Sequence, residues 1–190
     1  PEIPAPIDRI DIEAKFYEII SSDKTLSQSA PRILGFDSTQ KILCLEDLGK
    51  ALDFSFIYRG SESTSKGYLE ELLVWLAKLH ALKIDASTQK SISNDEMRKL
   101  NHEHIFDIPL REDNGLIFSQ ELTEISSKFS NDKNLFICSK KLGEKYLGRA
   151  QTTNNSLLHG DFYPGSWMKT AQNKILVIDP EFGFYGPREF

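Results

Sequence analysis

Residues 156–190 read Ser-Leu-Leu-His-Gly-Asp-Phe-Tyr-Pro-Gly-Ser (156–166), Trp-Met-Lys-Thr-Ala-Gln-Asn (167–173), Lys-Ile-Leu-Val-Ile-Asp-Pro-Glu-Phe-Gly-Phe-Tyr-Gly-Pro (174–187) and Arg-Glu-Phe (188–190). Two acidic clusters stand out, one at Asp161 and one at Asp179 with Glu181. Each follows an apolar run (Leu157-Leu158; Ile175 to Ile178) and is followed by glycine and proline. The apolar runs predict short buried strands, and the strands pin the carboxylates at their ends. Two such ends brought together form an acidic pocket. That pocket suits a divalent cation and a hydroxyl that must lose its proton.

Outward from this stretch, the totals describe an ordinary globular chain. It has 190 residues, 39% apolar and 27% charged, with a mean hydropathy of -0.37, enough for one substantial core. A net charge of -5 and a pI near 5.4 argue against nucleic acid as the main partner. No apolar run approaches the ~20 residues that span a bilayer, so no membrane partner is expected. Cys44 and Cys138 lie in apolar strings far apart, which predicts buried free thiols in a reducing cytoplasm. The chain opens at Pro1 without methionine and stops at Phe190, directly after its richest motif. It is expected to be part of a longer protein.

The upstream chain reads as follows. Asp8 to Ser22 predicts an amphipathic helix with Ile12, Phe16, Ile19 and Ile20 inward. Pro31 to Asp47 predicts strand, turn and strand, ending at a connector, Glu46-Asp47-Leu48-Gly49. Ser61 to Gly67 predicts a loop. Tyr68 to Leu82 predicts a helix with Leu69, Leu72, Leu73, Leu76 and Leu79 as its core stripe. Asp85 to Asp95 is polar and predicts a mobile segment. His102 and His104 beside Glu103 suggest a metal cluster, but two-residue spacing on a helix sends the imidazoles to different faces. Asn114-Gly115 predicts a turn, Phe118 to Phe129 a helix with Leu122, Ile125 and Phe129 inward, and Leu135 to Leu147 another. The fold class expected is α+β. A small sheet-containing amino lobe (1–48: helix, two strands, hinge) precedes a mostly helical carboxyl lobe (49–190) that carries the acidic loops.

His159-Gly160-Asp161, with Ser166 five positions after the aspartate, resembles the catalytic loop of the aminoglycoside phosphotransferase and choline kinase superfamily. The protein-kinase counterpart is His-Arg-Asp with an asparagine at that fifth position, and Asp-Phe-Gly where this chain has Asp179-Pro180-Glu181. Within the superfamily the two motifs look most like the 5-methylthioribose kinase family. Leu45-Glu46-Asp47-Leu48-Gly49 is similar to the hinge, and Leu76-Ala-Lys-Leu-His80 to the helix that opens the carboxyl lobe.

The resemblance implies a two-lobe, protein-kinase-like fold and ATP with Mg2+ as cofactors. Asp161 would orient or deprotonate the acceptor hydroxyl, and Asp179 and Glu181 would hold the metal. Ser166 would face the metal and nucleotide, and Glu46, Asp47 and Leu48 would bind adenine. Glu13 would be the helix glutamate that pairs with the ATP-binding lysine. Its alternative is a solvated helix carboxylate. His80 is read as a packed core histidine. A small hydroxyl-bearing acceptor is the expected partner, with a homodimer allowed. No Gly-x-Gly-x-x-Gly loop and no Val-Ala-x-Lys strand occurs in these residues. The expected function is a sugar kinase acting on 5-methylthioribose or a relative, with aminoglycoside, choline, homoserine or fructosamine as alternative acceptors. A non-catalytic pseudokinase is a second class. A hydrolase using His159, Asp161, Asp179 and Glu181 as metal ligands is a third, disfavoured because the other histidines lie far upstream.

Overall fold

A computed structural model of the chain describes residues 5–59, 66–111, 120–148 and 154–190. Helix α1 (Arg9–Ile20) buries Phe16, Tyr17, Ile19 and Ile20 and leaves Ile12 at the edge of the same core. That is the face its periodicity predicts. Helix α2 (Lys24–Gln28) is short and starts at Asp23, whose carboxylate accepts from the Thr25 and Leu26 amides at 2.8 and 3.0 Å. Strands β1 (Ile33–Asp37) and β2 (Ile42–Leu45) pair antiparallel across the predicted turn. Asp37 closes that turn by accepting from the Thr39 and Gln40 amides, both at 2.9 Å. Ile33, Leu43 and Leu45 pack on the core, while Leu34, Phe36 and Ile42 face outward.

Two further antiparallel sheets carry the acidic loops. Strand β3 (Ala51–Asp53) pairs with β5 (Trp167–Thr170), which pairs with β6 (Ile175–Val177). Strand β4 (Asn155–Leu158) pairs with β7 (Phe184–Pro187). Leu157, Leu158 and all three residues of β6 are at most 2% exposed, so both strands that lead into the acidic clusters are buried. Helix α3 (Lys66–Ala81) packs across them through Leu72, Trp75 and Leu79. One core joins Phe16 and Tyr17 of α1 to Trp75 and Leu79 of α3 and to Leu157 and Val177. It therefore runs without a break across the connector at residues 46–49.

Several expectations are corrected. On α3 the buried stripe runs Tyr68, Leu72, Trp75, Leu76 and Leu79, whereas Leu69 and Leu73 are exposed. Tryptophan carries the stripe because its ring is the largest surface on that face. Asp85 to Asp95 is ordered: Asp85 caps helix α4 (Ala86–Ser91), and Ile92 behind it is fully buried. Both cysteines are exposed. Cys44 falls on the outward face of β2 with Ile42, and Cys138 lies on the outer side of helix α7 (Lys133–Tyr146). Helix α6 (Gln120–Ser130) forms, but Leu122, Ile125 and Phe129 are each about half exposed. Asn114-Gly115 and residues 61–65 of the predicted loop lie outside the described residues, while Lys66 and Gly67 begin α3.

His102 ends helix α5 (Asp95–His102), and a π-helical turn follows (Glu103–Asp107). His102 packs on Phe106, and His104 Nδ1 lies 2.9 Å from the Leu100 carbonyl. The two rings serve local structure. His80 is half-buried, and burial first, then Arg188, lowers its pKa.

Candidate active site

The fold brings the two acidic clusters together. Strand β4 runs into His159, Gly160 and Asp161, and β6 runs into Ile178 and Asp179. His159 is 2% exposed and joins the loops: its Nε2 lies 3.0 Å from the Ile178 carbonyl, and its Nδ1 lies 3.3 Å from the Asp161 amide nitrogen. The Ile178 carbonyl can only accept and the Asp161 amide can only donate. The ring is therefore neutral, with its proton on Nε2. Burial holds its pKa down at about 4. Phe16, Trp75 and Phe162 surround the imidazole edge-on, and Trp75 stacks flat on Phe162 with ring centroids 5.7 Å apart. The aromatic residue directly after Asp161 is thus locked against α3.

Backbone conformation explains the glycine and the proline. Gly160 has φ +81°, and a Cβ there would lie 2.1 Å from the Phe182 carbonyl oxygen. Only glycine permits that approach of the two loops. Asp179 has φ +66° and ψ +50°, a left-handed conformation that costs a non-glycine residue on the order of 1–2 kcal/mol, and Pro180 follows it. Its amide donates to the Tyr17 hydroxyl at 3.2 Å, which holds the strained residue to α1. Ser166 is 2% exposed, and its carbonyl accepts from the Ile178 amide at 3.0 Å. The predicted metal-facing serine therefore lies next to the strand end that carries Asp179.

The electrostatics follow from that crowding. Desolvation first, then Asp179, raises the Asp161 pKa. Glu181 is raised by desolvation and by Asp179 and Asp161, against the pull of Arg9. Arg9 Nε stands 3.0 Å from the Glu181 carboxylate. Glu13 is raised to about 7, by desolvation and then by Asp179 and Glu181. Glu13 is half-buried on α1, and the nearby Asp179 and Glu181 charges act on it. Four carboxylates compete for one region and Arg9 is the cation paired there, so a further positive charge is favoured.

Among the described residues, no three His, Cys, Asp or Glu side chains form a ready-made metal cage. Magnesium does not require one, because it is held by one or two carboxylates together with substrate phosphates and water. Asp179 and Glu181 fit that donor set. Glu46, Asp47 and Leu48 lie in the connector between β2 and β3. The Glu46 amide donates to the Arg32 carbonyl at 2.9 Å, and Asp47 accepts from the Gly49 amide at 2.8 Å. Glu46 also lines a cavity of about 720 Å³ with Tyr17, Ile20, Pro31, Arg32 and Ile33.

Sequence reasoning missed Tyr17, Arg9, Trp75, Phe162 and Asn94. The Asn94 amide group donates to the Glu181 and Gly183 carbonyls. Tyr17 stands four residues after Glu13, one helical turn on, and that spacing was a usable signal. Asn94 follows a polar stretch with no motif around it and carried none.

No family model matches the chain. It is similar to proteins described as methylthioribose kinase. The relative from Geobacillus thermodenitrificans is 35% identical over 101 residues, covering 53% of this chain and 24% of that protein. Those from Pectobacterium atrosepticum and Bacillus velezensis are each 26% identical over 194 and 195 residues, covering 98% of this chain and 47% and 48% of those proteins. These similarities support a kinase-like relationship, and the mixed helix and strand content is compatible with an α+β kinase-like fold. The chain spans about half the length of the curated relatives it matches along its whole extent. No described helix is long and apolar enough to cross a membrane.

Proposed function

We propose that this chain carries the catalytic and metal-binding loops of an ATP-dependent phosphotransferase with an alcohol acceptor. The acceptor we favour is the hydroxyl of a sugar, 5-methylthioribose or a close relative. The observation that supports the reading is the tie that His159 makes between the Asp161 loop and the strand end that precedes Asp179, both at the ends of buried strands. The similarity to methylthioribose kinases supports both the class and the sugar.

In this reading Asp161 accepts the proton of the acceptor hydroxyl as its oxygen attacks the γ-phosphorus. The bond from that phosphorus to the bridging oxygen breaks, and ADP departs. The raised Asp161 pKa suits a proton acceptor, since a base works best when its pKa approaches the working pH. Asp179 and Glu181 would hold Mg2+, which supplies neutralisation of phosphate charge when bound. Ser166 keeps the Asp179 strand end in register, and the backbone of residues 46–48 receives the adenine. Glu13 is placed to pair with a lysine. We assign residues 1–48 to an amino lobe and 49–190 to a carboxyl lobe, and place the protein in the cytoplasm.

The test is ADP release by the intact gene product with Mg-ATP and a panel of methylthioribose, ribose, choline, homoserine and an aminoglycoside. Turnover on methylthioribose alone is expected. Turnover on another acceptor would keep the chemistry and change the substrate. Failure to bind ATP would favour a pseudokinase.

A further inference from the structure

We infer that Asn94 is a positioning residue for the loop bearing Asp179 and Glu181, and that it sets that loop's affinity for a divalent cation. The inference rests on the metal role proposed above for those two carboxylates. Asn94 lies between α4 and α5 and is only 7% exposed. Its Nδ2 donates to the Glu181 carbonyl at 2.9 Å and to the Gly183 carbonyl at 3.0 Å. One amide thus spends both protons on two carbonyls of the same loop. The orientation is fixed by its partners, because the flipped amide would set its oxygen against two acceptors.

Residue type and backbone conformation agree. Asn94 has φ +52° and ψ +41°, a left-handed conformation that asparagine and glycine tolerate. Asparagine alone of those two supplies donors. One turn further along α5, the Arg98 amide donates to the Asn94 carbonyl at 2.9 Å, and the Arg98 guanidinium lies 4.6 Å over the Phe184 ring. The start of α5 therefore grips residues 181–184 at both ends. Arg9 of α1 holds the Glu181 side chain, and Asn94 holds the Glu181 backbone. The direction in which Glu181 presents its carboxylate is set by that backbone. Partners behind metal ligands usually matter 10–100-fold to metal affinity.

The test is Mn2+ binding in the presence of ADP, followed by the spin resonance of free Mn2+, for the intact protein as parent and its Asn94→Gly and Asn94→Asp variants. Glycine keeps the left-handed backbone and removes both donors. Aspartate keeps the shape and turns the donors into acceptors, which covers the case in which the glycine variant fails to fold. The expected result is Mn2+ affinity about tenfold weaker in both variants, with faster amide exchange at Gly183 and unchanged protection in α3 and β4. A purely structural role would lower the melting temperature and leave Mn2+ affinity within twofold of the parent, and that outcome overturns the assignment. Absence of Mn2+ binding by the parent itself would overturn the metal reading, and this inference with it.

Discussion

His159 and Ile178 are joined by a hydrogen bond of 3.0 Å from the buried imidazole to the backbone carbonyl that precedes Asp179. The contact matters because the two residues directly follow strands of different sheets. Strand β4 belongs to the pair with β7, and β6 to the three-stranded sheet with β3 and β5. The imidazole is thus a strut between the strand ends that carry the proposed base and the proposed metal ligand.

That strut makes stability depend on pH. The folded His159 pKa is near 4, whereas an unfolded histidine titrates near its ordinary value of 6.5. Between those values the unfolded chain takes up a proton that the folded chain refuses. Stability is then full above about 6.5 and falls as pH drops through 4, by on the order of 3 kcal/mol in total. The advantage of the parent over His159→Asn in urea unfolding should shrink as pH falls from 7 to 4. A difference constant across that range would contradict a buried neutral imidazole.

Gly160→Ala should cost on the order of 3 kcal/mol, because the new methyl meets the Phe182 carbonyl and the backbone has positive φ. Gly35→Ala is the matched control, since nothing lies within 4 Å of a Cβ there. Thermal unfolding of the two variants side by side should separate them by well over 5 °C. Equal melting temperatures would mean that the two loops are not in contact.

Tyr17→Phe removes the acceptor of the Asp179 amide. Leaving that amide unpartnered should cost about 1–2 kcal/mol, and the left-handed Asp179 should lose its hold on α1. The check is urea unfolding, together with the amide exchange of Asp179. No change in either would show that the strained residue is held by something else.

Much of this arrangement could be read in the residues, and the exceptions have physical causes. The apolar runs ending at Asp161 and Asp179 predicted buried strands, and both strands form. The period of Ile12, Phe16, Ile19 and Ile20 gave the inner face of α1. Asp85 to Asp95 looked mobile because only Ala86 and Ile92 are apolar within it. Its order comes from the Asp85 cap and from Asn94, whose partners lie 87 and 89 positions away. Such long-range polar contacts leave no periodic trace. Leu122, Ile125 and Phe129 have helical spacing, yet spacing states only that a face is apolar, not that another element covers it. The cysteines were misjudged for a similar reason: alternation on β2 placed Leu43 and Leu45 inward and Cys44 outward.

The most direct measurement is phosphoryl transfer by the intact protein with Mg-ATP and methylthioribose, comparing the parent with Asp161→Asn. The side chain keeps its shape and loses its ability to take a proton, while Asp179 and Glu181 are untouched. The account predicts a 10²–10⁴-fold fall in kcat with nucleotide affinity within about twofold of the parent. Near-normal turnover by Asp161→Asn would contradict the assignment of that carboxylate as the base.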